Sequence, residues 1–220
     1  MEQLRTDQLA LAPASSERRV WWFWPALVTL AVGAITIAAL WLAVPRTPAE
    51  RSMEVAFARD MAAHHAQAVE MALIIRDRSS NDELRQFALD ITLTQQAQIG
   101  QMQGWLAAWS QPLSSAQPPM NGQGEMMGMA TQQQVNDLRT LTAAQAEVLF
   151  LQLMIRHHQG GVAMAQDVLH QTRRPEVARL TTAIVEGQQS EIAHMEQLLK
   201  QRGAAPIAPL APMHMTPSGS

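Results

Sequence analysis

The chain contains no cysteine and no tyrosine. Without cysteine there is no disulfide, no thiolate metal ligand and no cysteine nucleophile. Any soft-metal chemistry therefore falls to methionine and histidine. Basic residues are not in excess: 16 Lys and Arg against 19 Asp and Glu give a formal net charge of -3, which leaves no basic footprint for nucleic acid. A histidine pair could act as a general base, but no nucleophile or oxyanion element accompanies it at a recognisable spacing, which weighs against an enzyme. What the chain does have is methionine, 14 residues of it, and six clustered tryptophans.

Charge is also missing locally. Val20 to Val44 carries no charged residue, and at about 1.5 Å per residue it can cross a hydrocarbon core of about 30 Å. Trp21, Trp22 and Trp24 stand at one end and Trp41 at the other, where amphipathic rings favour the interface. The run is longer than a signal-peptide core, and Thr47-Pro48-Ala49 is a poor cleavage site. The expectation is an uncleaved transmembrane helix over 20–44, after a disordered cytoplasmic tail over 1–19. Arg5, Arg18 and Arg19 precede the run and Arg46 and Arg51 follow it, a small bias toward a cytoplasmic N-terminus. The protein is thus expected in the cell membrane, single-pass, with the bilayer as a partner and everything after a 45–52 linker extracytoplasmic.

The remainder is a duplication. Phe57, Met61, His64, His65, Val69, Met71 and Ala72 recur as Phe150, Met154, His157, His158, Val162, Met164 and Ala165, at a constant offset of 93 residues. Glu83, Ile91, Gln95, Gln96, Ile99, Met102 and Leu106 recur at the same offset as Glu176, Ile184, Gln188, Gln189, Ile192, Met195 and Leu199. Apolar residues from Phe57 to Ile75 step by fours and threes, a helical stripe that includes His64. Each repeat reads as a helical hairpin. Two such hairpins close into one core, so 53–202 is expected to be an all-α four-helix bundle. Its repeats are 53–109 and 131–202, joined by a Met-rich loop over 110–130 and followed by a disordered tail over 203–220. The third helix starts between Thr131 and Thr142. Gly160-Gly161 inside it predicts close approach of another backbone.

Folding each hairpin about its turn places His64 opposite Gln95, Met61 opposite Gln98, His157 opposite Gln188 and Met154 opposite Glu191. His65 and His158 fall at the edge of that layer, and His194 lies one turn beyond Glu191. Buried polar groups cost free energy unless paired, and here they are buried twice at one height. The candidate metal ligands are His64, His65, His157 and His158, with Met61, Met154, Met71, Met164, Glu191 and His194 around them. A second, mobile set is Met126, Met127 and Met129 with the Met213-His214-Met215 tail. Imidazole and thioether without thiolate suit a copper ion as Cu(I), or Ag(I) in its place, while zinc rarely takes thioether. Glu191-Ile192-Ala193-His194 fits the Glu-x-x-His spacing of di-iron bundles once, but its repeat mate is Gln98-Ile99-Gly100-Gln101, which is half a site. The alternative is a structural or partner-binding bundle whose His and Gln layer only fixes packing.

At these residues the chain resembles the bacterial family catalogued as domain of unknown function 305. The shared pattern is F-x-x-x-M-x-x-H-H-x-x-A-V-x-M-A, followed by Q-x-E-I-x-x-M. The first half matches it with Phe57, Met61, His64, His65, Ala68, Val69, Met71 and Ala72, then Gln96, Ile99 and Met102, but has Gln98 in place of Glu. The second half matches with Phe150, Met154, His157, His158, Val162, Met164 and Ala165, then Gln189, Glu191, Ile192 and Met195, with Gly161 in place of Ala. The resemblance implies a ferritin-like four-helix bundle exported from the cytoplasm. Some relatives are periplasmic copper-binding proteins.

Overall fold

The computed structural model describes residues 23–43, 47–115 and 119–208. The expected tail over 1–19 and the Met213-His214-Met215 segment lie outside the described residues. Among those described there are six α-helices and no strand. The chain divides into two compact units, Met1–Arg46 and Thr47–Ser220.

The first unit contributes α1, Phe23–Ala43. Pro25 is tolerated at its start, where no helical N–H is lost. Thr29 and Thr36 turn their hydroxyls back onto the carbonyls of Pro25 and Val32 at 2.8 Å. Among the described residues no helix is long and apolar enough to cross a membrane.

The second unit is a helical bundle. It contains α2 (Met53–Arg78), α3 (Asp82–Ala108), α4 (Gln132–Thr140), α5 (Ala143–Leu169) and α6 (Pro175–Gln201), with a 3-10 turn at Pro119–Gly122. Starts and stops follow local chemistry. Ser52 caps α2 through the Val55 N–H at 3.3 Å, and Asn81 caps α3 through the Leu84 N–H at 2.8 Å. Pro175 opens α6. The single start expected between Thr131 and Thr142 is instead two starts, because Thr131–Gln134 and Thr142–Gln145 each form a reciprocal capping box. A short separate helix therefore precedes α5.

The two hairpins, α2–α3 and α5–α6, meet through α2 and α5. The core has two apolar clusters. One joins Met71, Ile75, Leu84, Phe87 and Ile91 to Phe150, Met154, Met195 and Leu199. The other joins Phe57, Met61, Met102 and Leu106 to Met164, Val168, Val177, Leu180 and Ile184. Adding 93 to each first-half number in one cluster gives its second-half partner in the other. The clusters are thus exchanged by the pseudo-dyad that relates the repeats. That axis passes between α2 and α5, where His64 and His157 stack.

A candidate metal centre on the pseudo-dyad

His64, His65, His157 and His158 are all fully buried. The rings of His64 and His157 stack across the axis, with centroids 3.7 Å apart and planes inclined by 30°. Each ring is flanked by its chain neighbour, His65 at 6.4 Å and His158 at 6.3 Å. The near-equal distances are the duplication expressed as geometry.

Three of the rings have a fixed tautomer. His65 Nε2 donates to Gln98 Oε1 at 2.7 Å, and His158 Nε2 donates to Glu191 Oε2 at 2.6 Å. These acceptors are repeat equivalents of one another. His64 Nε2 donates to the main-chain carbonyl of Met127 at 3.0 Å. A carbonyl or carboxylate oxygen can only accept, so Nε2 carries the proton and Nδ1 keeps its lone pair. All three Nδ1 atoms are buried without a hydrogen-bond partner, and neither ring nitrogen of His157 meets a partner in hydrogen-bonding geometry. Unpaired buried nitrogens of this kind cost roughly 1–3 kcal/mol each.

Burial also keeps His64, His65 and His157 neutral. It pulls His64 down to about 4, against the opposing Met127 hydrogen bond and with the His158 charge adding to it. It pulls His65 down to about 3, helped by the His64 charge and opposed by Gln98. His157 is held well below the ordinary histidine range by burial first and by the other histidines next. Neutral imidazole is the form that ligates metal.

The Met-rich loop covers this layer. Besides the Met127 carbonyl on His64, the Ala130 main chain is gripped by the Gln67 amide, with the Ala130 N–H donating at 2.7 Å and its carbonyl accepting at 2.9 Å. The Met120 N–H donates to Asp60 at 2.8 Å. The carboxyl of Asp60 is raised by burial, with the Met120 hydrogen bond opposing. Two glycines permit the docking. A Cβ on Gly160 would lie 1.7 Å from the Met127 carbonyl oxygen, and one on Gly128, at φ +83, would lie 2.3 Å from that of Arg156. The close backbone approach expected at Gly160 is this loop. At Gly161 the neighbour is the Gln188 side chain, 2.4 Å from where a Cβ would stand.

Several expected placements change. His65 and His158 are central and fully buried, not at the edge. Gln98 and Glu191 reach these two histidines and not Met61 and Met154. Side chains tilt toward the N-terminus of their own helix, so on an antiparallel pair the partners that touch are offset from residues level by backbone count. Gln95 and Gln188 are buried, but neither amide has a hydrogen-bond partner. His194 does not join the layer. It lies partly exposed against the Phe87 ring at 4.8 Å, with Glu83 at 3.9 Å. Met61 and Met154 are fully buried in opposite apolar clusters, with Met164 beside Met61 and Met71 beside Met154. The loop set is not free over 119–130: Met127 is buried and Met126 is half exposed. Asp60, Gln67 and the Met127 carbonyl were not legible as site components, since each acts through a loop contact about 60 residues away in sequence.

No three histidine or carboxylate side chains among the described residues form a group able to hold a metal ion.

The arrangement defines an all-helical bundle with a duplicated, buried histidine layer on its pseudo-dyad. The chain belongs to the domain of unknown function family DUF305, whose family model matches residues 54–199. A presumed secreted DUF305 protein from Streptomyces coelicolor is 46% identical, with 73% of this chain and 99% of that one covered and a TM-score of 0.68. A DUF305 fragment from Deinococcus radiodurans is 44% identical, with 71% and 99% covered and a TM-score of 0.64. CopM in its Cu(I)-bound form is 27% identical, with 67% and 96% covered and a TM-score of 0.57. CopM is also solved with silver and with Cu(II). No curated protein matches the chain significantly.

Proposed function

We propose that this protein binds copper as Cu(I), with Ag(I) as an equivalent, at the histidine layer of an extracytoplasmic bundle. The observation that carries the reading is the set of three imidazoles whose Nε2–H is spent on a carbonyl or carboxylate while Nδ1 stands bare and buried. Metal-ligating histidines characteristically donate their other ring N–H to such acceptors, which orients the ring and raises its basicity. His64, His65, His157 and His158 are the candidate imidazoles, with no more than two of them to any one ion. Met61 and Met154, and at greater remove Met71 and Met164, are the candidate thioethers. Glu191 acts through His158, and His194 has no part. Copper capture in CopM, a relative of the same architecture, agrees with this assignment.

The ferritin-like description fits two antiparallel hairpins meeting at their His-bearing helices. Helix α1 would be the membrane anchor. It lies within the run Val20 to Val44, which carries no charged residue, and its two threonine hydroxyls are satisfied within the helix, as an apolar surrounding demands. Protease shaving of spheroplasts should remove the bundle; its protection would reverse the orientation.

A second reading keeps the layer purely structural, and the repeat-related His65–Gln98 and His158–Glu191 bonds favour it as a register lock. Anaerobic titration of the full chain in detergent with Ag(I) and Cu(I) against a competing chelator separates the two. Binding at the layer should raise Tm, by about 2.7 kcal/mol of stability at a free-metal level 100-fold above Kd, and His64→Ala/His157→Ala should abolish that rise. No binding above a helical control lacking Met and His would leave the structural reading standing.

A further inference from the structure

A cavity of about 230 Å³ opens to solvent beside the covered layer, between α2, α5 and the docked loop. Four of its eleven lining residues are methionines, Met53, Met120, Met127 and Met164, against 14 in 220 for the chain. Methionine inside a core fills gaps; these four pack on the apolar cluster on one side and border this open space on another. The only ionisable lining residues are Asp60 and Asp167, so the walls favour a cation and oppose an anion. Met120 is held at φ 53, a left-handed conformation that costs a non-glycine residue on the order of 1 kcal/mol or more. The Asp60 bond to its N–H maintains it. Its side chain is thereby kept buried against the cavity.

We propose that this cavity is a second soft-cation site, a thioether port for Cu(I) or Ag(I) built from Met53, Met120, Met127 and Met164. It shares a ligand class with the histidine layer and one candidate ligand, Met164. Thioether discriminates against hard ions, and the two carboxylates attract positive charge to the mouth. Met127 joins the two places. Its side chain lines the port while its carbonyl holds the His64 ring. A cation resting in the port is therefore one residue away from the buried imidazoles.

The test uses the full chain in detergent micelles, with methionine labelled at the ε-methyl carbon and histidine labelled in the ring, titrated anaerobically with Ag(I). The methyl signals of Met53, Met120, Met127 and Met164 should shift together. Met120→Leu/Met127→Leu, which nearly conserves volume, should lose about one equivalent of silver while the histidine signals still respond. If only the histidine signals move and the double variant keeps full stoichiometry, the port is overturned and the layer reading stands. If the four methyls move and the histidines do not, the port stands and the layer reading falls. Zn(II) shifting the same four methyls as strongly as Ag(I) would overturn the thioether assignment, and silence from both labels would overturn both sites.

Discussion

The two halves of the bundle began as one unit, and they differ most where they meet the histidines. In the first half His65 donates to the amide of Gln98; in the second His158 donates to the carboxylate of Glu191. At the position where the first half has Gln67 the second has Gly160. The glutamine grips the loop at Ala130, and the glycine makes room for it at Met127. A two-fold arrangement of side chains has thus been made one-sided. One loop covers a layer that symmetry alone would leave alike on both faces, and only one of the four rings has a carboxylate partner. Divergence between equivalent positions, and not the repeat itself, sets how the layer is reached.

The largest expected effect tests what the halves still share. The values of about 4 for His64 and about 3 for His65 lie below the ordinary 6.5, so the unfolded chain takes up protons first. Stability should be full above pH 6.5 and fall as pH drops toward 4, at about 1.4 kcal/mol per pH unit for each such ring. Several kcal/mol should be lost, read as denaturant midpoints across that window. A flat profile would mean that the rings are not held neutral.

Breaking the asymmetry at the loop should come next. Gly160→Ala drives a Cβ into the Met127 carbonyl and should cost about 2–3 kcal/mol, although alanine gains about 1 kcal/mol of helix propensity. Gln67→Ala, at the equivalent place on α2, loses two hydrogen bonds and should cost about 1–2 kcal/mol. Equal Tm values for wild type and Gly160→Ala would show that loop docking adds nothing. The smallest effect restores symmetry: Glu191→Gln gives both halves an amide acceptor and should cost about 1 kcal/mol, the difference between a charge-assisted and a neutral hydrogen bond. A loss of more than about 3 kcal/mol would instead indicate that the carboxylate supports more than the His158 ring.

Much of this architecture could be read before any coordinates. Periodicity and the 93-residue offset specify helices, hairpins and a layer in which His64 and His157 approach each other, because a repeated apolar stripe has few ways to bury itself. Thr131 and Thr142 bounded the expected start of one helix, and periodicity alone could not show that each caps a helix of its own. His194 shows where spacing misleads. It sits one helical turn from Glu191, yet the azimuth of α6 turns it outward onto Phe87. Gln98 and Glu191 were placed at the right depth but against the wrong partners, since side-chain tilt is not recorded in a backbone count.

Composition and local periodicity are enough for the helical bundle, its duplication, the absence of thiolate and the burial of His64 and His157. The assembled fold is needed to place the proton on His64, His65 and His158, to lay the Met-rich loop over the layer, and to set four methionines around an open cavity. Those outcomes depend on contacts between segments about 60 residues apart, such as His64 with Met127, and no local pattern specifies the angle at which two packed segments meet.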